Sequence, residues 1–534
     1  MRRARRGWRW PAAASVGAVS LAVLCAPAGA VPGTTRTRPM PTVPSSGPPT
    51  VLTYVSIACG NVGSCTTIGS YLDGASVPHP AVDTQRGGGW ASPTTIALPA
   101  GAGTQTTSVG FRSIACPTQG SCLAVGSYVA SGTGAPVRPM LAGEVAGVWG
   151  PATSAVPLPG GATMAALDAI WCTRAGACVV VGASWRGTAS AHHAFVDALV
   201  GGVWQPSVLL PDPTSTKLHG SVVVTPKAIA CTTTTDCVVV GAVGGTASPS
   251  ATYGYTAVDD HGTWTPTVIT PYASTRVSLN AVACPTATSC LAVGSAGPTL
   301  TANGRIAPFS VRYKAGSWTH EMLLPWKFFA PGTYGGALAG VSCPQARRCL
   351  AVGRLDRANP KTAPGVSGSV PVVFTQTDGV WTDPALAATP RSHGSVSAGG
   401  VLTAIACTSP RFCEAVGTTT PRAPSVEGVY PFSTVAQPFS RGTRPGAVSR
   451  VAVTVGHHRF DVTWYGPTVF GGSPIATFLV VARSPHETTI SCVTVTNTCR
   501  LYRVVPHHHY VVDVTPINAA RRLGPVRRVH ALGT

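Results

Sequence analysis

Five polar residues occupy one position of a sevenfold repeat and are the candidates for chemistry in this chain. Each copy has an apolar strand, a Cys, five residues and a second Cys, and the residue four places before the first Cys varies. In chain order that residue is Val55, Arg112, Asp168, Lys227, Asn280, Ala339 and Thr403. The five polar ones predict a small ligand-binding pocket made of Arg112, Asp168, Lys227, Asn280 and Thr403. The alternative is that they are solvated side chains without a dedicated ligand.

Residue types for catalysis are scarce. Glycoside hydrolysis needs two carboxylates flanking the scissile bond, but the chain has only five Glu, and no pair of acids recurs in the repeat. No Ser lies in a Gly-x-Ser-x-Gly motif, and no Walker or dinucleotide-binding glycine loop occurs. We therefore predict no catalytic residues and no cofactor.

One histidine run invites a metal interpretation. Alternation along a strand places His507 and His509 on one face, where His457 or His458 could join them. The alternative is that these residues serve as ordinary polar residues of a loop. We favour the alternative and predict no metal site.

The cysteines predict local disulfides. Apart from Cys25 they form pairs at x5 spacing and one pair at x6 spacing, whereas zinc sites use close Cys-x-x-Cys pairs. An even set of local pairs in an exported chain indicates disulfide bonds. The predicted bonds join Cys59 with Cys65, Cys116 with Cys122, Cys172 with Cys178, Cys231 with Cys237, Cys284 with Cys290, Cys343 with Cys349, Cys407 with Cys413 and Cys492 with Cys499.

The repeat, which recurs about every 55 residues, predicts a seven-bladed β-propeller. Six copies end in a Gly-x-Trp turn, so each copy reads as a four-stranded antiparallel meander. Small residues three places before the first Cys suit innermost strands that crowd around an axis: Ser56, Ser113, Ala169, Ala228, Ala281, Gly340 and Ala404. The disulfide hairpins would then mark the face opposite the pocket.

The seventh copy lacks the Gly-x-Trp strand, so its missing strand must come from elsewhere. The candidates are the Pro-rich segment before Tyr54, which suits only an outer edge strand, and the stretch 429–436. We favour closure by the N-terminal segment.

The N-terminus predicts export. Five Arg precede an apolar stretch, and small residues follow at Ala28-Gly29-Ala30, which indicates a signal peptide over residues 1–30. A lipoprotein signal at Cys25 is disfavoured because Leu24 stands where a small residue is needed. The stretch is too short for a membrane span. We expect a secreted monomer, on its own or associated with the cell surface.

Composition limits the choice of partners. Charged residues are 10% of the chain and the net charge is +20, of which the five arginines of the predicted signal peptide supply a quarter. The rest is diffuse apart from small clusters such as Arg347-Arg348, and it forms no basic stripe interleaved with aromatic residues. Nucleic-acid binding is therefore not predicted. Weak attraction to an anionic envelope or an acidic polysaccharide is the more modest inference. The alternative, of at least equal weight, is that the arginine content simply follows a GC-rich genome.

The C-terminal part resembles a fibronectin type III domain. The matching features are Trp464 in the second strand, the turn Gly471-Gly472-Ser473-Pro474-Ile475, Pro506 with Tyr510 at the tyrosine corner, and Asn518-Ala519 with Gly524. The resemblance implies a sandwich of seven strands that acts as a spacer or adhesive unit. The predicted organisation is a Pro-rich segment 31–50, a propeller 51–438, a linker 439–445 and this domain at 446–534.

The Gly-x-Trp turns loosely resemble the Asp-box of sialidase-like propellers, best at Asp259–Trp264 and Asp378–Trp381. That box is structural in its family, so the resemblance implies no catalysis. We predict an exported bacterial protein that binds a glycan or a surface protein at one mouth of the propeller. The alternatives are a glycoside hydrolase or lyase, and a structural cell-surface component.

Overall fold

The computed structural model is built from β-strands and connecting turns. It describes residues 36–41, 52–73, 77–86, 89–103, 110–132, 134–187, 191–248, 250–270, 276–297, 306–320, 333–358, 367–381, 385–387, 397–410, 412–421, 430–436, 444–467, 475–485, 487–494, 497–518 and 523–534. Within these ranges no helix has the length and apolarity to cross a membrane. The predicted signal peptide, Cys25 and most of the linker lie outside the described residues, as do residues 471–474 and Ala519.

Seven antiparallel units follow one another along the chain. The first strand is β1 Arg36–Pro39. Blades 1 to 3 contain β2 Leu52–Asn61, β3 Ser64–Leu72, β4 Pro78–Arg86, β5 Gly89–Trp90, β6 Thr94–Thr95; β7 Gly110–Thr118, β8 Ser121–Val129, β9 Val137–Val145, β10 Val148–Trp149; β11 Met164–Arg174, β12 Ala177–Trp185, β13 His193–Val200, β14 Val203–Trp204 and β15 Val208–Leu209. Blades 4 to 7 contain β16 Val222–Thr233, β17 Asp236–Gly245, β18 Thr252–Asp260, β19 Thr263–Ile269; β20 Arg276–Thr286, β21 Ser289–Gly297, β22 Ala307–Lys314, β23 Ser317–His320; β24 Thr333–Gln345, β25 Arg348–Ala358, β26 Ser367–Thr377, β27 Val380–Trp381, β28 Ala385–Leu386; β29 Ser397–Ser409, β30 Phe412–Pro421 and β31 Tyr430–Ala436.

The first strand of each blade is innermost, and these strands close into a ring. In order, β2, β7, β11, β16, β20, β24 and β29 each contact the next, and β29 contacts β2. The apolar core lies between blades, with one cluster at each of the seven junctions. The fold is therefore a seven-bladed β-propeller, as the repeat predicts.

The Gly-x-Trp turns hold neighbouring blades together. The Trp of each short fourth strand packs into the cluster shared with the preceding blade. In two blades the indole also donates a hydrogen bond across the junction, from Trp90 to Ser433 Oγ (2.9 Å) and from Trp381 to Ser310 Oγ (3.2 Å). The motif is thus an inter-blade contact.

Blade 7 is completed by the N-terminal segment. Its sheet has the order β1-β31-β30-β29, and β1 pairs antiparallel with β31, from Arg36 opposite Val435 to Pro39 opposite Phe432. Both candidate segments are used, because 430–436 supplies the third strand and the Pro-rich segment supplies the fourth. Pro39 is tolerated because β1 is the outer strand.

All eight predicted disulfides are formed. In each blade the bond joins the first two strands next to their turn, with Cα atoms 3.9 to 4.1 Å apart. Cys492–Cys499 joins two strands of the C-terminal part, and the Cα atoms of these two cysteines are 6.6 Å apart. The bonds of the blades are Cys59–Cys65, Cys116–Cys122, Cys172–Cys178, Cys231–Cys237, Cys284–Cys290, Cys343–Cys349 and Cys407–Cys413. Each bond closes a short loop in the unfolded chain, which contributes about 2 kcal/mol in the chain-entropy model.

The second cysteine of each blade is a core residue. It is the second residue of the second strand, where its side chain is buried in the cluster between blades. The first cysteine is half-buried in six of the seven blades. The buried second cysteines are Cys65, Cys122, Cys178, Cys237, Cys290, Cys349 and Cys413. Because every one of them is oxidised and buried, these residues support the blades and offer no thiol to a ligand.

The C-terminal residues form a β-sandwich. Its strands are β32 Ser449–Gly456, β33 Arg459–Tyr465, β34 Ile475–Arg483, β35 Ile490–Thr494, β36 Thr498–Tyr502, β37 His509–Asn518 and β38 Arg527–Leu532. One sheet has the order β32-β33-β36 and the other β35-β34-β37-β38. Trp464 and Tyr510 are buried between the sheets, and the backbone N–H of Val505 donates to Tyr510 Oη at 3.0 Å. This hydrogen bond has the geometry of a tyrosine corner.

The closure of blade 7 gives a testable prediction. Met40, next to β1, is buried in the cluster between blades 7 and 1. We expect Met40→Ala to lower the free energy of unfolding by about 3 kcal/mol, the usual loss for a buried Met, measured by denaturant titration. Met164→Ala is the control, because Met164 is only half-buried. Equal losses in the two variants would contradict the assigned closure.

Candidate functional site

Every innermost strand contains a β-bulge at the position identified from the sequence. The pairing of the first two strands skips one residue in each blade, four places before the first Cys. The skipped residues are Val55, Arg112, Asp168, Lys227, Asn280, Ala339 and Thr403. Because the bulge recurs at one register, these seven residues lie at one level of the ring. We call them the bulge ring.

The bulge keeps the apolar side chains of each innermost strand on one face. In blade 1, Leu52 and Tyr54 are buried two residues apart, and the next buried residue, Ile57, follows after three. The same spacing of three recurs around the ring, for example from Leu279 to Val282. The bulge inserts one extra residue between two buried ones. The side chain of this extra residue does not pack in the core and points in a different direction. This spacing is the sequence signal that identifies the bulge.

The Gly of the repeated Val-Gly phrase is required by the bulge. It lies on the second strand, opposite the residue before the skipped one, as Gly126 lies opposite Phe111. A Cβ atom at this Gly would come within 3.0 Å of the innermost strand's backbone in every blade. Any side chain there would push the two strands apart, so the phrase is fixed by backbone contact.

The small residues that follow the bulge allow the innermost strands to approach closely. A Cβ atom on Gly340 would lie 3.1 Å from Ala404 Cα in the next blade. Where the residue is Ser, it also bonds across the junction: Ser113 Oγ accepts a hydrogen bond from Ile170 N at 3.2 Å. The predicted crowding around the axis is therefore observed.

Polar members of the bulge ring are linked from blade to blade. Lys227 Nζ donates to Asn280 Oδ1 at 3.0 Å and to Ser278 Oγ at 2.8 Å. Asn280 Nδ2 donates to the backbone oxygen of Leu338 at 2.7 Å. Thr403 Oγ1 lies 2.8 Å from the backbone oxygen of Tyr54, which precedes the bulge of blade 1. Ser278 is a member of this network that the sequence did not indicate.

Asp168 is the acidic centre of the ring. Its side chain is half-buried, and burial raises its pKa to about 7, although the positive charges of Arg112 and Lys227 act in the opposite direction. Burial likewise lowers the pKa of Lys227, which the charge of Asp168 partly offsets. Within the described part of the chain, the Asp168 carboxylate forms neither a hydrogen bond nor a salt bridge. It therefore has free acceptor capacity between two cations.

The five predicted residues thus share one ring but differ in availability. Arg112, Asp168 and Lys227 come from consecutive blades and are electrostatically coupled. Asn280 and Thr403 already use their side chains in hydrogen bonds. Of the seven ring residues, Asp168 alone carries a carboxylate, so the ring itself does not supply the pair of acids that glycoside hydrolysis needs.

The Asp-box resemblance corresponds to a turn. Asp259 Oδ1 accepts a hydrogen bond from Gly262 N at 2.8 Å, which caps the turn leading to Trp264. Next to it, ligand atoms of Asp236, Asp260 and His261 lie within 4.8 Å of one another. His261 and Asp260 are strongly exposed and bonded to each other at 2.8 Å. The histidines near His507 and His509, for which we favoured an ordinary polar role, do not form such a group among the described residues. There His508 pairs with Glu487 at 3.3 Å.

Comparison with known proteins gives similarity of fold only. No protein-family model and no curated protein matches the chain. A structure of YCF48 bound to a D1 peptide matches with 12% identity and a TM-score of 0.38, over 76% of this chain and 97% of that one. The GH93 α-L-arabinofuranosidase of Fusarium graminearum with arabinobiose has 12% identity and a TM-score of 0.35, over 75% and 98%. A fibronectin type III domain of human collagen XX has 20% identity and a TM-score of 0.14, over 17% and 94%.

The bulge predicts a strong penalty at the glycine opposite it. We expect Gly126→Ala to lower the free energy of unfolding by about 3 kcal/mol, because the added methyl group overlaps backbone that cannot move freely. Denaturant titration measures the change. Gly143→Ala in the same blade is the control, since its Cβ atom would meet only Leu123 Cδ1, at 3.9 Å. If both variants unfold alike, the bulge does not constrain this position.

Buried aspartates predict that stability depends on pH. Burial raises the pKa of Asp83 to about 7 and that of Asp197 to about 6, alongside Asp168. A raised carboxyl pKa stabilises the fold below the unfolded-state value and the gain is lost as pH rises through the folded-state value. We expect a melting temperature about 5 °C higher at pH 5 than at pH 8. Asp83→Asn with Asp197→Asn should reduce this difference.

The control for the pH prediction is Asp378→Asn, at an exposed turn of blade 6. This variant should retain the difference between pH 5 and pH 8. A melting temperature that rises with pH in the parent protein would contradict the assignment of these aspartates.

Proposed function

We propose that the protein is an exported, non-enzymatic binding protein that recognises an acidic polysaccharide at the bulge ring. The observation that carries the proposal is the group of charged side chains on consecutive blades, Arg112, Asp168 and Lys227, which lie at one level and influence one another's charge. The disulfide in every blade supports function outside the cytoplasm. The C-terminal sandwich, as a fibronectin type III domain, would serve as a spacer.

The free groups of the ring suggest the chemistry of its ligand. Arg112 is exposed, and among the described residues no side chain pairs with its guanidinium. A guanidinium binds carboxylate and other planar anions through paired N–H donors. Asp168 beside it can accept hydrogen bonds from hydroxyl groups. A uronic acid carries a carboxylate and several hydroxyls on one sugar ring, so it matches both groups.

Electrostatics favour an anionic ligand over a neutral one. With Asp168 ionised the three charged residues sum to one positive charge, and protonation of Asp168 near neutral pH increases the sum. The chain that follows the predicted signal peptide is also strongly positive, which raises the local concentration of a polyanion at the surface. Binding should therefore strengthen as the pH falls from 8 to 6.

Substitution of Arg112 tests the proposal. We expect Arg112→Ala to weaken retention of the protein in polygalacturonate or alginate gels at least about tenfold, the loss of one charge-assisted pair, with no retention in dextran. Affinity electrophoresis at fixed salt measures the dissociation constants. Arg174→Ala is the matched control, because Arg174 is an exposed arginine at the disulfide-hairpin end of an innermost strand.

Two results would overturn the proposal. Equal weakening by Arg112→Ala and Arg174→Ala would mean that the polyanion binds through diffuse charge. Release of reducing sugar from either polysaccharide, abolished by Asp168→Asn, would favour the glycoside hydrolase alternative. That alternative draws support from the pKa of Asp168, since a pKa of about 7 suits a general acid.

A further inference from the structure

We propose a second binding site, for a single neutral sugar unit, in a cavity between blades 1 and 2 on the disulfide face. The cavity has a volume of about 330 Å³ and its wall includes Thr66, Thr84, Arg86, Thr118, Gln119 and Glu144. Its floor includes the Cys116–Cys122 disulfide at the turn end of the innermost hairpin. The cavity therefore lies at the opposite end of the blades from the bulge ring.

Glu144 is the buried polar group of the cavity that lacks a partner. Its side chain is buried, and Oε2 has no hydrogen-bond partner among the described residues. A buried acceptor without a partner destabilises the protein. Burial raises the pKa of Glu144, and the positive charge of Arg86 only partly counters this effect. A donor that enters the cavity would satisfy the carboxylate.

Arg86 faces Glu144 without closing on it. A Cβ atom on Gly147 would lie 3.1 Å from an Arg86 nitrogen, so the guanidinium lies over the turn of blade 2. Within the described residues no salt bridge joins Arg86 to Glu144. The two opposite charges are therefore separated by a gap.

Other blade junctions fill the same position differently. Glu144 is the residue opposite the Trp of the fourth strand. Its counterparts in the other blades that have this strand are Gln85, Leu199, Asp259, Tyr313 and Gln376. At the junction of blades 5 and 6, Arg312 donates directly to Gln376 Oε1 at 2.8 Å. An arginine from a different register position of the preceding blade thus bonds directly to the polar residue there, whereas the junction of blades 1 and 2 leaves a cavity.

The lining defines the chemical class of the ligand. A group that bridges the gap must accept hydrogen bonds from Arg86 and donate them to Glu144. A hydroxyl group does both, whereas a simple anion would be repelled by Glu144 and a simple cation by Arg86. The remaining wall carries the hydroxyls of Thr66, Thr84 and Thr118, which also donate and accept. A molecule with several adjacent hydroxyls fits this lining, and the volume lies within the range of small-molecule sites.

Binding of monosaccharides to the intact protein tests the site. The probes are D-galactose, D-glucose, D-mannose and L-arabinose, each measured by saturation-transfer NMR and calorimetry. We expect at least one to bind, and Glu144→Leu to weaken that sugar at least tenfold. Glu144→Leu should fold, because blade 3 carries Leu199 at the same position, and its melting temperature should equal or exceed that of the parent protein.

Controls separate this site from the bulge ring. Arg112→Ala should leave the sugar's dissociation constant unchanged, and Glu144→Leu should leave retention in polygalacturonate unchanged. The site is disproved if none of the four sugars binds, or if binding is the same in Glu144→Leu. Binding of glycine or alanine in place of the sugars would also overturn the assigned ligand class, since a zwitterion also matches opposite charges.

Discussion

The extra residue in each innermost strand is the constraint on which both packing and the candidate site depend. Seven strands that converge on an axis must bury apolar side chains between the blades and still direct other side chains towards the axis. With strict alternation of side chains along a strand, every second residue would face the core and the others would face away from it. The bulge shifts the alternation by one, so that Tyr54 and Ile57 both pack between blades while Val55 is released.

The bulge also dictates sequence elsewhere in the blade. The innermost strand is drawn against the second strand, and only Gly fits opposite, as at Gly294 and Gly417. The next blade then approaches so closely that only a small residue fits after the bulge. A varying residue is therefore surrounded by positions that cannot vary, which is how one repeat supports a site whose members differ from blade to blade.

Burial of charge is the second constraint on the molecule. Low charge content leaves few ionisable groups, yet several of these are carboxyls at the junctions or in the ring, where burial raises their pKa. Buried carboxylates weaken the fold at neutral pH unless a neighbouring group donates hydrogen bonds to them or carries a positive charge. Asp83 receives a hydrogen bond from the Tyr54 hydroxyl at 3.1 Å. Asp168 and Glu144 have cations nearby but no direct partner among the described residues, which is the basis of the two proposed binding sites.

Much of the architecture follows from the sequence alone. The repeat, its Cys pairs and its Gly-x-Trp turns predict seven blades, their disulfides and the register position of Arg112, Asp168, Lys227, Asn280 and Thr403, because all of these are local patterns repeated at one period. The bulge also leaves a local signal, the spacing of three between apolar residues such as Leu279 and Val282. For the missing strand of blade 7 the sequence offered two candidate segments, and the structure uses both of them in that blade.

The tertiary structure decided what depends on neighbours in space. The pairing of β1 with β31 joins residues almost 400 positions apart, and no local pattern specifies it. The hydrogen bonds of Lys227 and Asn280, the free carboxylate of Asp168 and the cavity beside Glu144 arise between blades. They depend on which side chains meet across a junction and on how much water is excluded there. The sequence thus determined where the candidate residues lie in the repeat. Packing between blades determined how burial affects their charge and which of their polar atoms remain unbonded.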